Sequence, residues 1–135
     1  MKIIKSLLTL SLIFFGTNSF SENINLMNLY EDLHQNPELS YKEFETAKKL
    51  SILLGDLGYE VTEGVGGNGV VASLKNGPGK TVLIRADMDG LPVKEKTGAS
   101  YASKKKSTNQ VGQEVFTMHA CGHDIHMTVL LGTAE

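Results

Sequence analysis

Apolar positions recur at helical spacing in three stretches of this chain. Leu26, Leu29, Tyr30 and Leu33 follow i, i+3, i+4, i+7, which predicts an amphipathic helix. Pro37 disfavours helical geometry in the residue before it, so that helix ends near Asn36. Phe44, Ala47, Leu50, Leu54 and Leu57 give a second helix its apolar face. Ser40 with Glu43 forms a capping box ahead of it, and Gly58 is a left-handed stop. From Ile125 the pattern turns helical again, with Met127, Leu130, Leu131 and Ala134 on the buried side. Between these stretches, Tyr59–Thr62, Val70–Leu74 and Thr81–Ala86 read as strands, and Val115–Met118 is a further apolar run. The continuous run TVLIRA suits a buried strand. The turn Asn76-Gly77-Pro78-Gly79 before it suggests a hairpin with Val70–Leu74. Helices flanking strands imply an α/β layer fold.

The first residues stand outside that pattern. Lys2 and Lys5 precede the apolar run Leu7–Phe15, and Ser19 and Ser21 occupy the −3 and −1 positions of a cut before Glu22. This order reads as a secretory signal over residues 1–21, leaving residues 22–135 as the folded part and a secreted or periplasmic location. The apolar run is too short to span a bilayer as a mature helix, so no membrane association follows signal cleavage.

Composition narrows the function. Of 135 residues, 13 are Lys or Arg and 15 Asp or Glu, so net charge is −2 and no basic stripe for nucleic acid exists. Signal removal takes two Lys and makes the balance −4. Lys104-Lys105-Lys106 reads as a solvated face. Gly64–Gly69 (GVGGNG) lacks the Lys-Ser/Thr ending of a phosphate-binding loop and reads as a turn. Cys121 is the only cysteine, so no intrachain disulfide forms, and export places a lone thiol where oxidation is favoured.

Two clusters carry candidate chemistry. Arg85-Ala86-Asp87-Met88-Asp89-Gly90-Leu91-Pro92 leaves the end of an apolar strand, where α/β folds place ligands. Its two carboxylates suit divalent cations, or else form a solvated acidic turn. Met118-His119-Ala120-Cys121-Gly122-His123-Asp124-Ile125-His126 holds three His, one Cys and one Asp. Thiolate and imidazole are natural ligands of zinc and similar metals. Asp124 either ligates or holds an imidazole by its second nitrogen. His126 lies three residues after His123, on the same helical face. The competing readings are a buried free cysteine with surface histidines, and a Cys121 nucleophile with a His base.

Three segments, Leu33-His34-Gln35-Asn36-Pro37-Glu38-Leu39-Ser40, Arg85–Pro92 and Met118–Met127, together closely resemble the metal-dependent amidohydrolases of the aminoacylase/carboxypeptidase type, which include hippurate hydrolases and indole-acetyl-amino-acid hydrolases. The resemblance implies the N-terminal part of a zinc-exopeptidase-like three-layer α/β catalytic domain, incomplete in this chain. It implies two divalent ions (Mn, Zn, Co or Ni), with Cys121 and His123 as ligands and Asp89 as the catalytic-site acid that orients a ligand. Asp87 falls near the metals, and Asp124 and His126 are carried only as part of the motif. The implied reaction is hydrolysis of the amide of N-acyl amino acids or small peptides, with a homodimer formed through a domain absent from this chain. The family's general-base Glu, a metal-binding Glu and two further His are expected after Glu135. The chain alone is then expected to be inactive. The alternative is a non-catalytic metal binder or a non-functional truncated product.

Overall fold

A computed structural model describes residues 23–135; the signal-like segment, residues 1–21, falls wholly outside them. Three helices and four short strands make up the fold: α1 (Leu26–Gln35), α2 (Phe44–Asp56), β1 (Glu60–Val65), β2 (Gly69–Ser73), β3 (Lys106–Thr108), β4 (Glu114–Phe116) and α3 (His123–Ala134). Among the described residues no helix is long and apolar enough to cross a membrane.

The helices follow the apolar spacing. Leu29 and Leu33 of α1, Leu50 and Leu54 of α2, and Met127 and Leu131 of α3 are buried in one core cluster. Met127 and Leu131 are almost wholly excluded from water, each side chain contributing about 1.5–3 kcal/mol by burial. The helix α1 packs on α3, while α2 contacts both α3 and the β1–β2 hairpin. Asn25 caps α1, its side chain accepting from Asn28 N at 3.0 Å.

The second helix starts differently from the sequence expectation. No side chain of its N-cap residue, Glu43, bonds the first turn. Glu38 does so instead: its carboxylate accepts from Thr46 N at 2.8 Å and Glu45 N at 3.3 Å. Pro37 and Glu38 bring the chain back across the helix start, and Ser40 is left exposed. Phe44 points to solvent rather than into the core. The other end follows the sequence. Gly58, at φ 88°, bonds Gly55 O at 2.9 Å while Tyr59 N bonds Leu54 O at 3.1 Å, the paired closure that favours glycine just past a helix.

The strands pair otherwise than expected. The hairpin is β1 with β2, antiparallel, with a register shift between Thr62 and Val65. The glycine turn joins them, Gly64, Gly66 and Gly67 all adopting positive φ, so the turn reading of that segment is correct. A second hairpin joins β3 to β4. Thr81–Ala86 forms no strand here. Val82 and Leu83 are 82% and 83% exposed. An apolar run becomes a buried strand only when neighbours bond its backbone and cover both faces, and among the described residues nothing pairs with it.

Gly90 is where the segments converge. Its N–H donates to Glu38 O at 2.6 Å, and Leu91 and Met118 exchange backbone bonds at 2.8 and 3.0 Å. A Cβ at Gly90 would stand 2.9 Å from Pro37 Cβ and 3.1 Å from Thr117 Cγ2. The absence of a side chain there lets Gly90 and Leu91 lie against Thr117 and Met118, which lead to Cys121.

Candidate metal centre

The fold brings Asp89 and His123 together. His123 opens α3 after Gly122, which turns the chain at φ 79°. Its Nδ1 lies 2.9 Å from the carbonyl oxygen of Asp89 and 3.1 Å from Asp89 Oδ1. A carbonyl oxygen only accepts, so Nδ1 carries the hydrogen and donates. In the neutral ring that leaves Nε2 with a free lone pair, the tautomer a metal ligand needs.

The remaining candidates are placed unequally. Cys121 is exposed and free. His126 is exposed, its ring 6.0 Å from that of His123. Asp87 turns to the surface, where it pairs with Arg85. Asp124 is only 1% exposed, and both its oxygens are engaged: Oδ2 lies 2.6 Å from His34 Nδ1, and Oδ1 accepts from Ile125 N at 2.9 Å. Among the described residues no three His, Cys, Asp or Glu side chains converge into a metal-holding group.

Three residues without an assigned role in the sequence complete the surroundings. His34 bridges Asp124 to Glu95, its Nε2 lying 3.1 Å from Glu95 Oε1. Burial alone would lower the His34 pKa, but its hydrogen bonds to Asp124 and Glu95 outweigh this and raise it. For Glu95 burial acts upward, and hydrogen bonds from Thr97, His34 and the Ser103 N–H bring the net shift down. The signal for His34 was its place in the Leu33–Ser40 motif; Glu95 sits in a polar loop and carried none. His119 is buried with both ring nitrogens unpartnered, and burial lowers its pKa. Buried polar atoms without partners are uncommon, and the ring of His119 is one of the few here.

One imidazole nitrogen left free, with the other tied to a carbonyl and a carboxylate, is the way a metal-ligating histidine is held in place. The comparisons narrow the class. Residues 83–135 match the model of peptidase family M20/M25/M40. The chain is 47% identical over 111 residues to thermostable carboxypeptidase 2 of Saccharolobus solfataricus, covering 81% of this chain and 26% of that protein. It is 42% identical over 123 residues to the hippurate hydrolase of Campylobacter jejuni, covering 87% of this chain and 30% of that one. A solved Bacillus subtilis structure, the YXEP protein, described as a dinuclear metal-binding peptidase from the M20 family, aligns with a TM-score of 0.69 at 40% identity, over 81% of this chain and 28% of that one. The resemblance read from the three motifs is borne out. The chain spans roughly a quarter to a third of the length of these relatives.

Proposed function

We propose that this chain supplies metal-binding residues to a metal-dependent amidohydrolase that cleaves the amide bond of N-acyl amino acids or small peptides. The observation that carries the reading is His123, whose Nδ1 is held by Asp89 while Nε2 is left free. The similarity to a hippurate hydrolase and to carboxypeptidases supports the substrate class.

In this reading Cys121, as thiolate, and His123 Nε2 hold a divalent ion, drawn from Mn, Zn, Co or Ni, at a centre of two. Asp89 fixes the His123 ring. Asp87 and His126 stand at the rim, and Asp124 acts on the helix rather than on the ion, since both its oxygens are engaged. When bound, such an ion polarises an amide carbonyl and makes water a usable nucleophile near neutral pH. The chain's own residues orient the ligand nitrogen, Asp89 holding Nδ1 through its carbonyl and its carboxylate. Proton transfer is not assigned to Asp124 or Glu95, because His34 occupies both. Export to the periplasm or outside the cell belongs to the same proposal and rests on residues 1–21 alone.

The test is a Co²⁺ titration of the chain with Cys121→Ser and His123→Phe beside it, followed by release of amino acid from an N-acyl substrate. Stoichiometric binding with a near-ultraviolet thiolate-to-cobalt band, lost in Cys121→Ser, supports the site. Binding unchanged in both variants overturns it. Tight binding by every longer form of the protein, with no turnover of any N-acyl amino acid, leaves a metal-binding protein and overturns the hydrolase reading.

A further inference from the structure

The segment from Thr117 to Asp124 carries His119, Cys121 and His123, and one hydrogen-bonded chain centred on His34 reaches both its ends. At the far end, Asp124 Oδ2 meets His34 Nδ1 at 2.6 Å. At the near end the link has three steps. His34 Nε2 meets Glu95 Oε1 at 3.1 Å, Glu95 Oε2 accepts from Ser103 N at 2.5 Å, and Ser103 Oγ donates to Thr117 O at 2.8 Å. Thr117 and Asp124 are each 1% exposed, so neither end is free to drift.

The chemistry of this bridge is directional. A carboxylate accepts from an imidazole N–H, so a ring that meets one at each nitrogen is set to donate from both. The rings of Tyr30 and Tyr101 flank His34, with centroids 5.7 and 5.4 Å away, and leave it little freedom to turn. His34 lies in the last turn of α1 and Asp124 in the first turn of α3; a cation and an anion at those respective ends are each favoured by the helix dipoles.

We infer that His34 is a positioning residue for the candidate metal centre, bridging Asp124 and Glu95 so that the segment bearing Cys121 and His123 is fixed at both ends. The inference rests on the metal-site reading for its purpose but not for its first test. It gives the Leu33–Ser40 motif a role at the site although it contributes no ligand.

The experiment uses the whole chain, ¹⁵N-labelled, and follows the His123 ring nitrogens by NMR without metal, then the Co²⁺ dissociation constant. Leu131→Ala, which opens the core away from the bridge, serves as a control for general loosening. In His34→Gln the His123 signals are expected to lose the pattern of a bonded Nδ1 and a free Nε2, and Co²⁺ affinity to fall about 10–100-fold, the usual effect of removing a group that orients a ligand. Leu131→Ala is expected to lower stability with little change in either readout. Where His34→Gln does not fold, Glu95→Gln decides, with the same changes expected in smaller measure, because only one arm of the bridge is weakened. A folded His34→Gln with His123 signals unchanged overturns the inference, as does a change no larger than that of Leu131→Ala. If the wild-type chain shows no thiolate-to-cobalt band, the metal reading falls, while the His123 signals still decide the role of His34.

Discussion

Gly90→Ala adds one carbon where three segments meet. That carbon would lie 2.9 Å from Pro37 Cβ, 3.1 Å from Thr117 Cγ2 and 3.3 Å from Met118 O. None of the three yields readily. Pro37 is a buried ring, Thr117 is 1% exposed, and the Met118 carbonyl is bonded to Leu91 N at 2.8 Å. Forcing a methyl group into a packed junction costs about 1–3 kcal/mol. For a chain of this size that corresponds to a fall in melting temperature of roughly 3–15 °C. Gly55→Ala is the matched comparison: Gly55 lies inside α2 with nothing within 4 Å of the added carbon, so it is expected to stabilise by about 0.5–1 kcal/mol. Thermal unfolding by circular dichroism, with urea titration for ΔΔG, reads both. A Gly90→Ala protein that melts within about 1 °C of wild type, a change in the range of neutral surface substitutions, would show that the junction has room for the added carbon.

Removing the Glu38 carboxylate in Glu38→Ala is expected to destabilise by about 1 kcal/mol, the usual cost of a lost helix cap, whereas Ser40→Ala should stay within about 0.5 kcal/mol; urea midpoints compare them. In Gly132→Ala the new carbon meets only the Leu26 side chain, with Cδ1 at 2.8 Å, Cδ2 at 3.3 Å and Cγ at 3.7 Å; that side chain is exposed at the start of α1 and can turn aside, so a calorimetric melt should show a neutral or slightly raised Tm. Stability measured across pH should peak near the ordinary histidine value of 6.5. Above it, the raised pKa of His34 means that its contribution is lost as pH rises through the folded value. Below it, the unfolded chain protonates His119 before the folded one does, and then, as pH falls through its lowered folded value, Glu95 gives up its stabilisation too. A curve that is flat from pH 5 to 8 in both wild type and His34→Gln would contradict these assignments.

The three helices were legible because a 3.6-residue repeat of apolar positions is local, and Leu29, Leu33, Leu50, Leu54, Met127 and Leu131 all reach the core that it predicts. The stop at Gly58 was legible for the same reason. The cap of α2 was not: whether Ser40 or Glu38 meets the first turn depends on how the chain passes Pro37. The run Thr81–Ala86 shows the limit of apolar patterning, since hydrophobicity states a need for burial but not whether a partner is present. At the site, residue chemistry singled out His123, Cys121 and Asp89, and the structure joins the first to the third. It did not single out the pairing of His34 with Glu95 and Asp124, which lie 61 and 90 residues away. No local pattern encodes a contact at that separation.

The exposed run of Val82, Leu83 and Ile84 has a consequence for how the chain behaves at high concentration. Extended, apolar and unpaired, it offers a template on which identical chains can stack. Lys80 and Arg85 stand immediately outside this run and Thr81. In a parallel, in-register stack each of these cations would face its own copy in the chain above and below, so every added strand meets two like-charge repulsions. Such flanking charges act as gatekeepers that oppose stacking, Lys80 at one end and Arg85, already paired with Asp87, at the other.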